Sequence, residues 1–228
     1  MAGSHAISRR AFLLGGAASA GSLVLGRSAT ATPKTLDIIC KGAWGAGPPQ
    51  GKFVRHHVKR LTVHHSAVVL KDNRKAPSRF RDHQAYHQSL GWPDIAYHML
   101  IDAHGNIYRG RPSWARGDTR TDYDPAGHLL VLCEGNFEEQ EIPRAQVRAL
   151  VDVLAWASAR WDVPPYRIRG HRDYAATACP GQDLYNLIDR GPIRRRVRRR
   201  LAEGGVQLDG LCGRAGRRRV RQIENGTD

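Results

Sequence analysis

The sequence predicts a single α/β domain in which helices flank a central mixed β-sheet, and three observations lead there. Residues 61–67, Leu61-Thr62-Val63-His64-His65-Ser66-Ala67, alternate with period two, and 128–133 is a nearly unbroken apolar run. The first is the pattern of a strand and the second that of a strand covered on both faces. Two stretches of helical periodicity accompany them: Phe80, His83, His87 and Leu90 after Pro77, and Val147, Leu150, Val151, Leu154 and Trp161 after Pro143. Proline suits the first turn of a helix, where its missing N–H costs nothing. Residues 95–101 and 107–109, joined by the turn Asp102-Ala103-His104-Gly105-Asn106, form an expected meander, which makes the sheet mixed.

Taken in order, residues 41–51 are a turn-rich entry with Trp44-Gly45-Ala46 and Pro48-Pro49. The 61–67 strand follows, then the helix from Pro77 and Ser78, stopped by Gly91. After the meander come the buried 128–133 strand and the long helix that should cover the sheet. Tyr166-Arg167-Ile168-Arg169 is the last expected strand, and residues 183–189 open a helix with Leu184, Leu187 and Ile188 facing inward.

Charge separates the ends from this body. The 228 residues carry 36 Lys+Arg against 21 Asp+Glu, a net +15, with 41% hydrophobic and 25% charged residues, values of a folded chain. Residues 1–31 hold three Arg and no acid, and 190–228 hold twelve Arg against four acids, which leaves +4 for the 158 residues between. That near balance argues against a nucleic-acid surface built into the body. Ser8-Arg9-Arg10-Ala11-Phe12-Leu13, a short weakly apolar run and Ala29-Thr30-Ala31 fit a twin-arginine export signal over 1–31, too short and too rich in small residues for a membrane anchor. The mature chain then has no transmembrane segment and is periplasmic or extracellular. At the other end, Ile193, Val197 and Leu201 extend a helix along a narrow stripe, and disorder is expected beyond Gly204. The Arg-rich 191–228 extension reads either as a solvated tail or as an attachment to anionic wall polymers.

The chemistry concentrates in Gly170-His171-Arg172-Asp173-Tyr174-Ala175-Ala176-Thr177-Ala178-Cys179-Pro180-Gly181. A loop of this kind can curl His171 and Cys179 onto one ion, and zinc accepts imidazole nitrogen and thiolate sulfur together. His64 is the third candidate, because strand alternation puts it on the face opposite His65. Residue types alone leave three readings open: a zinc site, a thiol nucleophile with a histidine base, or a structural cysteine beside a surface histidine. His83 and His87 are spaced like a metal pair but lack an acid or Cys on the same turn, and read as core or surface residues.

Six segments occur here in the order seen in one family: Trp44-Gly45-Ala46; residues 62–67; Gly91-Trp92-Pro93-Asp94-Ile95-Ala96-Tyr97-His98; Tyr108-Arg109-Gly110-Arg111; Gly135-Asn136-Phe137; and residues 170–181. Across residues 36–190 the sequence resembles the peptidoglycan recognition protein and zinc N-acetylmuramoyl-L-alanine amidase family, including phage amidase-lysozymes. The resemblance implies Zn2+ held by His64, His171 and Cys179, with peptidoglycan or muropeptides as substrate and the lactyl–alanine amide as the bond cut. It also places Tyr97 and Thr177 at catalytic positions, Tyr97 to orient water or stabilise the oxyanion and Thr177 to hydrogen-bond. Trp92, Arg111, Trp114 and Asp118 are candidate substrate-groove residues. Family members usually carry Gly-Ala-His where this chain has Arg116-Gly117-Asp118, so a carboxylate stands where an imidazole is expected. With Cys179 given to zinc, Cys40, Cys133 and Cys212 allow at most one disulfide, and Cys133 in the apolar strand is a core residue.

Overall fold

In a computed structural model of the chain, which describes Met1 and residues 32–228, the sheet contains seven strands. In chain order the elements are β1 (Lys34–Ile39), β2 (Arg60–His65), α1 (Ala76–Ser89), β3 (Met99–Ile101), β4 (Ile107–Arg109), β5 (His128–Cys133), α2 (Arg144–Trp161), β6 (Ile168–Gly170), α3 (Gln182–Asp189), α4 (Pro192–Ala202), β7 (Val206–Leu211) and α5 (Gly213–Asn225). The spatial order is β6-β2-β5-β3-β4-β1-β7, parallel throughout except for the β3–β4 hairpin. The expected single α/β domain with a mixed sheet and helices on both faces is what the chain forms. The export-signal segment, 1–31, lies outside the described residues. No helix among the described residues is long and apolar enough to cross a membrane.

Every residue of β5 is buried, as its composition demands for a strand covered on both faces. One face packs on α2, whose Val147, Leu150, Val151 and Leu154 join Val63, Val131, Ile168 and Leu184 in the larger core. Burying each such side chain contributes about 1.5–3 kcal/mol. On the other face, register aligns His64 with Leu132, Leu132 with Leu100, Leu100 with Tyr108, and Tyr108 with Ile39. Paired residues share a face, and Leu132, Leu100, Tyr108 and Ile39 form a second core with Phe80 of α1 and with Val220 and Ile223 of α5. His64 therefore lies on the face that α1 and α5 cover.

The hairpin is pinned by Asp102, whose carboxylate accepts from His104 N at 3.0 Å, Asn106 N at 2.9 Å and the Tyr108 hydroxyl at 2.8 Å. The β3 strand is shorter than the expected 95–101. Asp94 accepts from Gln84 Nε2 at 2.7 Å and Ile95 N at 2.8 Å and pairs with Lys41, so the chain turns before Met99. The expected 166–169 strand is likewise shifted, to Ile168–Gly170, behind a 3-10 turn at Pro165–Arg167.

The C-terminal extension corrects the expectation of disorder beyond Gly204. β7 adds to the sheet edge in register with all six residues of β1, and α5 folds back over it. Cys212 bonds Cys40 across 172 residues of sequence, while Cys133 stays free and buried. Gly216 makes the close approach feasible: a Cβ there would collide with the Leu211 carbonyl oxygen and sit 2.6 Å from Ala43 Cβ. β1 itself, which lies between β4 and β7, does not follow from the turn-rich entry.

Candidate metal centre

His64 is supplied by the C-terminal end of β2, His171 by the 3-10 turn His171–Asp173 that follows β6, and Cys179 by the loop beyond it. Because β6 pairs with β2, Val63 opposite Gly170, the strand ends deliver the two histidines side by side, with ring centroids 4.6 Å apart. The loop is closed by its own backbone, Arg172 N donating to Cys179 O at 2.9 Å, and by Arg172, whose guanidinium reaches Ala178 O and Glu138. Gly181 is required next: its φ is +88°, and a Cβ would lie 2.5 Å from the Phe137 carbonyl carbon. One nitrogen from each histidine and Cys179 Sγ lie within 4.8 Å of one another.

The donors are free to serve an ion. His64 Nδ1 is 3.6 Å from Cys179 Sγ, and its buried Nε2 has no hydrogen-bond partner among the described residues. His171 Nε2 is 2.8 Å from Thr121 Oγ1, which leaves Nδ1 uncommitted. Burial, reinforced by the neighbouring His171, holds His64 well below the usual imidazole range, and burial lowers His171 to about 4, so both present lone pairs at neutral pH. Burial also pushes the Cys179 thiol up to about 12 in the protein alone. A divalent cation reverses that preference by stabilising the thiolate. A buried imidazole with its Nε2 unpartnered and its Nδ1 beside a thiol is a costly arrangement for a merely structural cluster, and the donor set of two nitrogens and a sulfur fits a zinc ion.

A cavity of about 190 Å³ opens onto this cluster. Tyr86, His87, Trp92, Ala96 and Tyr97 form one wall and residues 118–121 the other. His87 accepts from Ala96 N at 3.1 Å and stacks obliquely on Trp92, ring centroids 4.9 Å apart, which fixes the first wall. Tyr97 lies 5.3 Å from the His64 ring, and desolvation, with Cys179 nearby, raises its phenol above the ordinary value of 10. It stays protonated and able to donate a hydrogen bond.

The sequence candidates divide by place. Trp92, Tyr97 and Asp118 line the cavity with His64 and His171. Arg111 does not: it is 2% exposed and gives its guanidinium to Ile95 O, Asp94 O and Arg116 O, with Nη2 2.6 Å from Asp118 Oδ2 in an ionic contact. It braces both cavity walls from beneath. Trp114 faces a different depression, with Arg55, His56 and Trp161, its ring under the Arg55 guanidinium at 4.7 Å. Thr177 is absent from the cavity lining; its hydroxyl accepts from Cys179 N at 3.2 Å. His83 pairs with Glu134 at 2.9 Å and takes no part in the cluster. Sequence reading missed Thr121, and with it Thr119, whose hydroxyl is 2.8 Å from that of Thr121. The run Thr119-Arg120-Thr121 follows directly on Asp118 but has no periodicity or motif to mark it.

Comparisons with known proteins agree on one family. The family described as N-acetylmuramoyl-L-alanine amidase matches residues 54–182. Peptidoglycan-recognition protein SC2 of Drosophila melanogaster is 32% identical over 157 residues, covering 67% of this chain and 85% of that protein. A pig protein named N-acetylmuramoyl-L-alanine amidase is 31% identical over 158 residues, which are 65% of this chain and 26% of that longer protein. The crystal structure of Drosophila peptidoglycan recognition protein SD superposes with a TM-score of 0.62 at 29% identity, covering 68% of this chain and 94% of that one.

Proposed function

Because the chain belongs to the peptidoglycan recognition protein and N-acetylmuramoyl-L-alanine amidase family, we propose that it is a zinc-dependent amidase that hydrolyses the bond between the lactyl group of N-acetylmuramate and L-alanine in peptidoglycan. The observation that carries this reading is the set His64, His171 and Cys179, with ligand atoms within 4.8 Å of one another and both histidines lining a cavity. A zinc ion held there would supply Lewis acidity to the scissile carbonyl and to water.

The chain's own groups do the rest. Tyr97, protonated and beside His64, donates a hydrogen bond to negative charge that develops on the carbonyl oxygen. Its raised pKa makes it unfit as a base at neutral pH. Thr121 holds His171 through Nε2, which leaves Nδ1 as the nitrogen that would hold zinc. Thr177 supports Cys179 through its backbone N–H. Trp92 offers an apolar wall against which a sugar or stem peptide can rest, and Asp118, its Oδ2 paired with Arg111, has Oδ1 to accept from a hydroxyl or cationic group of the substrate. The Arg pair at residues 9 and 10 supports export through the twin-arginine route, to the periplasm or beyond; replacing both by Lys should leave the protein in the cytoplasm.

The deciding experiment is a digest of defined muropeptides read by mass. Products gaining one water at the lactyl–alanine amide are expected with zinc present, and none after chelation. Cys179→Ala should abolish both zinc uptake and cleavage while the protein stays folded. Stoichiometric zinc with no cleavage would mean a binding protein instead, and full activity in Cys179→Ala would overturn the ligand set.

A further inference from the structure

The strongest unassigned feature is the outer face of α5, which lies outside the residues 54–182 shared with the family. Its inner side is accounted for: Gly216, Val220 and Ile223 are buried, the last two in the core that α5 shares with α1. Arg219 donates to Asn106 at 2.7 Å, and Glu224 pairs with Arg81 at 3.0 Å. The outer side carries Arg214, Arg217, Arg218 and Arg221, all exposed. Their spacing of i, i+3, i+4 and i+7 places them in one row, about 4.5–6 Å apart along the axis between successive turns. None of the four has an acidic partner among the described residues. The row is also held in place, by the disulfide at Cys212 and by the ion pair with α1 at the other end. The Asn73–Lys75 turn packs against the same helix.

We propose that the α5 face is a docking site for a flexible polyphosphodiester chain, an anionic wall polymer whose phosphates are spaced along an uncharged backbone. Guanidinium forks pair with phosphate oxygens two at a time, and a fixed row of them suits successive phosphates of one strand. A membrane surface is the poorer occupant, since no large apolar side chain of residues 190–228 is among the exposed ones and nothing is available to insert. Duplex nucleic acid is poorer too, because a helix that lies flat on the sheet and is tied at both ends does not project into a groove. The face lies on the same side of the sheet as His64, with α1 between, so polymer held there keeps attached wall strands near the metal centre.

The test measures binding of fluorescent poly(glycerol phosphate) to the whole chain by polarisation across a salt series. Four phosphate contacts predict that log affinity falls with log salt at a slope of about −3. The variant Arg214→Gln/Arg217→Gln/Arg218→Gln/Arg221→Gln should lose at least tenfold in affinity and most of that slope, with its melting temperature and cleavage of soluble muropeptides unchanged. If the fourfold variant melts early, Arg217→Gln/Arg218→Gln should show a smaller loss of the same kind. The matching α4 variant, Arg195→Gln/Arg196→Gln/Arg198→Gln/Arg199→Gln, should bind like the wild type. Three results would overturn the proposal: undiminished binding by the α5 variants, loss in the α4 variant, or tighter binding of phosphatidylglycerol vesicles or duplex DNA at equal phosphate. Muropeptide cleavage is read separately, so failure here leaves the amidase reading untouched, and the converse holds.

Discussion

Thr121 does more for the centre than its distance from any motif suggests. Its hydroxyl is 2.8 Å from His171 Nε2 and is itself anchored by Thr119, both through Oγ1 and through the bond from Thr121 N to Thr119 Oγ1 at 3.1 Å. An imidazole that donates Nε2–H to a hydroxyl keeps its Nδ1 lone pair for a metal, and such outer partners typically change metal affinity or activity 10–100-fold when removed. Thr121→Val keeps the volume and removes the acceptor. It should weaken zinc binding by about tenfold or more in a competitive chelator titration, and Thr121→Ser should restore it. Equal zinc affinity in wild type and Thr121→Val would show that His171 is oriented by packing alone. Tyr123, 5.1 Å from the His171 ring, is the packing neighbour that could do so.

Elements differ in how openly the sequence declares them. β2, β5 and α2 follow from apolar residues recurring with a clear period, and α1 from the stripe Phe80, His83, His87 and Leu90 after a proline; the strand doublet and the Gly/Pro-bounded loop offer His64, His171 and Cys179 as candidates, which the family resemblance and not the spacing turns into a ligand set. The C-terminal elements do not. β7 has only Val206, Leu208 and Leu211 as apolar residues, and α5 is a short stripe around Val220 and Ile223, set among Gly and Arg that by composition suggest an unfolded tail. Their order comes from partners far away in sequence: β1, which has an open edge for β7, and Cys40, which captures Cys212. Long-range pairing of this sort has no local signature. The same reasoning explains β3, cut short because Asp94 is claimed by Gln84 and Lys41. If the disulfide secures these elements, Cys40→Ser/Cys212→Ser should cost about 2–4 kcal/mol, as expected for closing a long loop. Hydrogen exchange in β7 and α5 should accelerate well ahead of exchange in β5. Uniform acceleration across the sheet would mean instead that the terminal elements unfold only with the rest.

At the scale of the whole molecule, neutral histidines serve as internal struts, and this makes stability depend on pH. His98 accepts from Leu130 N at 2.8 Å and donates to Ala115 O at 2.9 Å, joining β5 to the loop beneath the cavity wall. His87 accepts from Ala96 N at 3.1 Å, and His128 Nδ1 is 2.8 Å from the Thr62 hydroxyl. Protonation of His98 or His87 would turn the accepting nitrogen into a donor facing an N–H. Burial accordingly lowers His98 and His87 to about 3, with His83 and Arg111 adding to the effect at His87. Burial, with Arg60 nearby, lowers His128 to about 4. In the unfolded chain each returns to about 6.5. Between about 6.5 and the folded values the unfolded chain binds more protons, so falling pH favours unfolding. Each group contributes at most about 1.4 kcal/mol per pH unit in that window. Three together are large against the roughly 5–15 kcal/mol typical of a folded domain. The melting temperature should therefore be nearly level above about pH 7 and drop steeply from about pH 6 to about 4. His98→Gln removes one of several titrating imidazoles and should make the acid dependence of stability shallower by at most about 1.4 kcal/mol per pH unit, whatever it does to stability at neutral pH. A melting temperature that stays level down to about pH 4 would mean that these imidazoles titrate alike in the folded and unfolded chains, and that their buried hydrogen bonds do not hold the molecule together.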